Sequence, residues 1–159
     1  MPKLYTYPAT PDEIVTLIGR IAIESSFMDM LLGSILLARL KESGKHNPQG
    51  IYALPTKRKI ERLGEEFPDA ELKPILTRAE AALLDRNLAL HGIAAATDTG
   101  ILANQTIAFR DKYSEKPQPR SAELFRTILD AVAETSGDLM AHGTARGLLV
   151  VTKSVTPSA

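Results

Sequence analysis

The recurrence of Ile14, Leu17, Ile21, Met28, Leu32 and Ile35 at helical spacing constrains this chain most, because a 3.6-residue apolar period sustained over several turns specifies a long helix with one buried face. Thr10-Pro11-Asp12-Glu13 supplies its start: Thr10 suits the cap, Pro11 the first helical position, and Glu13 the reciprocal capping-box position. The pattern predicts a helix to about Lys41, stopped by Ser43-Gly44. Such a helix needs others to cover its apolar face.

The rest of the chain offers them. Residues 43–55, with Gly44, Asn47-Pro48, Gly50 and Pro55, read as a loop. Thr56 is expected to cap a shorter helix, Lys57 to Glu66, closed by Phe67-Pro68. A third helix is expected from about Leu72 to His91, with Pro74 in its first turn, Gly92 just past its end, and Leu72, Leu76, Ala79, Leu83 and Leu90 as its stripe. Ile93 to Thr97, Asp98-Thr99-Gly100 and Ile101 to Arg110 read as a short hairpin, and Lys112 to Arg120 as a polar connector. Ser121 then caps a final helix carrying Leu124, Ile128, Leu129, Val132 and Leu139, and Val155 to Ala159 is expected to fray. The expected fold class is all-α, a helical bundle with a short β-hairpin insertion between the third and last helices. It forms one domain, 1–159, with its core at about 12–150. Composition agrees: 44% of residues are hydrophobic but only 5% aromatic, with no Trp, so the core is aliphatic.

Several function classes are disfavoured. Lys plus Arg and Asp plus Glu both number 19, so no global basic field draws in nucleic acid and any RNA contact must be local. There is no Cys, and three scattered His give no metal-ligand spacing, so neither metal nor cofactor is expected. No glycine-rich phosphate cradle follows a strand, and no Ser sits on a strand-to-helix elbow. The amino terminus lacks a signal-peptide core and no apolar run is expected to approach the length needed to cross a bilayer, which predicts a cytoplasmic protein without a membrane partner.

One short run carries chemistry: Leu84-Asp85-Arg86-Asn87-Leu88-Ala89-Leu90-His91-Gly92, or R-N-x-x-x-H-G at the end of the third helix. Arg86 can hold a phosphate with a planar fork of donors, and His91 can move a proton near neutral pH. At about 100° per residue, Asn87 and His91 share nearly one face, while Arg86 and His91 lie roughly 140° apart and are expected to flank the apolar stripe. One helix holds them apart. A two-fold dimer apposing two such helix ends would gather both pairs in a shared cleft. The plain alternative is a surface arginine and a histidine near a helix C-terminus, where the dipole favours a cation.

With Arg86, Asn87, His91 and Gly92 placed after two helices and before a turn and another helix, the chain resembles the HEPN superfamily of small helical bundles. The likeness in architecture covers roughly Asp12 to Met140, although only the R-N-x-x-x-H-G run is specific. It implies a metal-independent endoribonuclease of toxin–antitoxin or defence type, acting as a homodimer, with Arg86 and His91 catalytic and Asn87 in the polar position beside them. RNA brings its own nucleophile in the 2′-hydroxyl, so proton transfer and cationic clamping suffice, and a 2′,3′-cyclic phosphate is the implied product. A cognate antitoxin or nucleotidyltransferase-like partner is implied as well. Non-catalytic relatives leave a second reading open, a dimerisation or nucleic-acid-binding module.

Three lesser features remain. Lys57, Arg58, Lys59 and Arg62 form the one dense basic cluster, readable as an RNA-contacting helix face or as a solvated one. Glu24 interrupts the first apolar stripe and is a candidate for orienting Arg86 or His91. His142 reads as a helix-terminal histidine and His46 as a loop residue.

Overall fold

Helices carry the fold, whose class is all-α. The computed structural model describes residues 12–45, 48–91, 93–97, 100–104 and 118–150, with side chains described over 12–45, 50–90 and 121–150. The Thr10-Pro11 start, His46, Gly92, the Asp98-Thr99 turn, residues 105–117 and the tail from 151 lie outside these. In chain order come α1 (Asp12–Glu42), α2 (Pro48–Ile51), α3 (Thr56–Glu66), α4 (Leu72–His91) and α5 (Ala122–Ala145). Between α4 and α5 stand β1 (Ile93–Thr97), β2 (Gly100–Asn104) and β3 (Gln118–Arg120), antiparallel in that order, with Ala95 opposite Leu102 and Leu102 opposite Pro119.

Chain packing separates two compact units. The first holds α1 up to Ser26, α4 from Ala81, the strands, and α5 to Glu134. Its buried residues include Ile14, Leu17 and Ile21 of α1, Ala82, Leu83 and Ala89 of α4, and Phe125, Ile128, Leu129 and Val132 of α5. Ser25 is buried too, its Oγ donating to the Ile21 carbonyl at 2.6 Å, the back-bond by which a helix accepts a hydroxyl on its inner face. Leu124, placed on the apolar stripe of the last helix by the sequence pattern, is exposed.

The second unit holds the rest of α1, α2, α3, the start of α4 and the end of α5. Met28, Leu32, Ile35, Leu36, Leu63, Leu72 and Leu139 are fully buried in it. Gly44 ends α1 at φ 75°, with the Lys45 amide donating to the Leu40 carbonyl, as the left-handed stop after a helix requires. Gly147 (φ 67°) does the same after α5, and the amides of Leu148 and Leu149 return to the Gly143 carbonyl.

Three expectations about elements need correction. The loop at 43–55 contains the short α2. Thr56 is the first residue of α3, not its cap; its hydroxyl donates instead to Asp29 Oδ1 at 2.8 Å. And α1 is long and apolar enough, by length and composition, to cross a membrane, with 44% of its most apolar stretch buried in this fold. A core helix of a soluble protein meets the same test.

Candidate functional site

Arg86 and Asn87 build the polar unit near the end of α4. Arg86 Nη1 donates to Asn87 Oδ1 at 2.8 Å, so the guanidinium folds back along the helix onto the neighbouring amide. Arg86 is half-buried, and its Nε, wholly shielded from solvent, has no hydrogen-bond partner among the described residues. His91 closes the helix; its side chain lies outside the described part.

The helical repeat explains this burial and corrects the expected flanking arrangement. Of the residues three or four positions from Arg86, Ala82, Leu83 and Ala89 are buried and Leu90 is half-buried. Arg86 therefore sits in the middle of the inward stripe. The opposite face of the same turns carries Leu84, 62% exposed, and Leu88, 50% exposed. Asn87, half-buried, stands between the two faces. Glu24, also half-buried, makes no hydrogen bond or ion pair with Arg86, so its expected orienting role toward that residue has no contact behind it.

The basic cluster of α3 does not form one face. Lys59 is fully buried: its Nζ donates to Asp29 Oδ2 at 2.6 Å and to the Tyr52 carbonyl at 3.2 Å. A lysine in that position cannot contact RNA. Arg58 pairs with Glu61 at 3.0 Å, and Arg62 grips both carboxylate oxygens of Glu66. That hydrogen-bonded grip raises Arg62 and lowers Glu66 from their ordinary pKa values. Only Lys57 among the four is exposed without an ion pair among the described residues.

A second cluster, in the second unit, was missed by sequence reasoning. Asp69 Oδ1 accepts the Glu71 amide at 2.9 Å and the Leu72 amide at 3.2 Å, capping α4. Its Oδ2 accepts from Arg39 Nη2 at 3.1 Å and stands 3.6 Å from both Arg146 Nη2 and His142 Nε2. Burial works to raise the Asp69 carboxyl, but the two amides and the nearby Arg146 and His142 outweigh it and hold it below the usual carboxylate range. His142, read from sequence as helix-terminal, lies in the last turn of α5 and is buried there. Two signals were available. Asp69 precedes the first apolar residue of α4 by three positions, the usual offset of a capping carboxylate, and His142 continues the Thr135, Leu139 stripe of α5.

No group of three or more metal-binding side chains occurs among the described residues. Comparison with protein-family models, curated proteins and solved structures returns no match.

Proposed function

We propose that this is a HEPN-like metal-independent endoribonuclease, with the stranded segment as an insertion in its helical bundle. The observation that carries the reading is the Arg86 to Asn87 hydrogen bond, with an unused guanidinium donor beside it, on the turns of α4 that end at His91. In this reading Arg86 clamps a scissile phosphate and His91 transfers the proton of the 2′-hydroxyl, giving a 2′,3′-cyclic phosphate. Because Arg86 lies on the buried stripe of α4, this reading requires a homodimer that brings the second chain's Arg86 and His91 to a shared site. The setting is cytoplasmic, in a toxin–antitoxin or defence system with a cognate antitoxin or nucleotidyltransferase-like partner.

The inward placement of Arg86 favours a second reading, a non-catalytic dimerisation or nucleic-acid-binding module in which the arginine orders the helix end. Cleavage of a labelled structured RNA in excess chelator separates the two. Wild type is expected to cut, with His91→Ala inactive and Arg86→Lys strongly impaired at unchanged helix content. Equal background from all three proteins would discard the enzyme reading for that RNA.

A further inference from the structure

Within the second unit, the C-terminal half of α1, Tyr52 and the turn after α5 enclose a groove of about 490 Å³, the size of a small-molecule site. Its walls are apolar, with Phe27, Met30, Leu37, Met140 and Leu149 among them. Two polar side chains besides the lysine line it, Ser34 and Tyr52, and their hydroxyls are 3.1 Å apart and bonded to each other, which uses one O–H and leaves the other as a donor. Among the described residues Lys41 is the one charged side chain of the lining, and no carboxylate lines the groove. Lys41 is exposed and has no ion pair among the described residues, whereas the nearby Glu42 is engaged by Arg39.

We propose that this groove binds a medium-chain fatty carboxylate, its tail along the apolar wall and its head at Lys41. The charge pattern sets the class. A cationic head meets the like charge of Lys41, a neutral head leaves that charge unused, and a polyanion finds one cation only among the described residues. Length agrees, since Lys41 and Met30 lie about 16 Å apart along α1 at about 1.5 Å per residue. Met30 and Met140 give walls that reshape around a flexible chain, and Met30, Tyr52 and Val150 already stand 46%, 50% and 87% exposed.

The test uses the full chain labelled at its methionine methyl groups and observed by NMR during titration with dodecanoate below its micellar concentration. The Met30 and Met140 methyls are expected to shift saturably while the fully buried Met28 stays in place. Dodecyltrimethylammonium should produce no saturable shift, and Lys41→Glu should weaken dodecanoate about fivefold without disturbing Met28. Unmoved Met30 and Met140 signals would overturn the site. Equal binding of the ammonium, or unchanged affinity in Lys41→Glu, would overturn the assignment of an anionic head.

Discussion

Single residues carry unequal shares of this fold. Asp69 joins the cap of α4 to Arg39, Arg146 and His142, so Asp69→Asn is expected to cost about 2 kcal/mol near neutral pH. The sign of its pH dependence follows from its lowered pKa. The stabilisation is complete above the unfolded value of about 3.9 and is lost as pH falls through the lower folded value. Melting curves of wild type and Asp69→Asn should therefore differ most near pH 6–7 and converge below about pH 4. Gly143 is constrained by space: a Cβ there would stand 2.5 Å from Leu149 Cδ1 and 2.6 Å from its Cγ. Gly143→Ala should cost about 1–3 kcal/mol in denaturant unfolding. Arg86 behaves oppositely. Its buried, unpaired Nε is a standing cost, so Arg86→Leu is expected to raise the melting temperature while abolishing RNA cleavage. A fall in melting temperature would instead favour the module in which Arg86 orders the helix end.

At the scale of elements, local pattern was a good guide where local forces decide. The helix expected from about Leu72 to His91 is α4, and the stripe Ile14, Leu17, Ile21, Met28, Leu32 and Ile35 is buried along α1. Leu32→Ala should accordingly cost roughly 3 kcal/mol by chemical denaturation, against under about 0.5 kcal/mol for the outward Leu84→Ala. Pattern failed where a partner lies far along the chain. Lys59 reads as one of four cations on a helix face because nothing adjacent reveals Asp29, and the Asp69 cluster escapes notice because Arg39 and Arg146 come from α1 and the turn after α5. The candidate site was legible as a set of residue types, Arg86, Asn87 and His91. Their facing was not, since the inward position of Arg86 depends on packing that the sequence stripe only approximated.

For the whole molecule, the prediction that matters is association. If the outward face of α4 forms a two-fold contact, sedimentation should give a dimer, and Leu84→Arg should yield a helical monomer without cleavage activity. A wild-type monomer that still cuts RNA would remove the dimer from the mechanism and leave the chemistry to a single chain.

The position of His91 at the final residue of α4 has an electrostatic consequence. Phosphates in many proteins are received at helix N-termini, where backbone N–H groups and the positive end of the macrodipole help to hold them. Here the phosphodiester would approach the opposite pole, where unpaired carbonyls carry roughly half a negative charge. In the proposed ribonuclease the backbone would repel the phosphodiester, and side-chain cations alone would have to reverse that field. A ribonuclease arranged this way would be unusually sensitive to the loss of a single positive charge and to added salt.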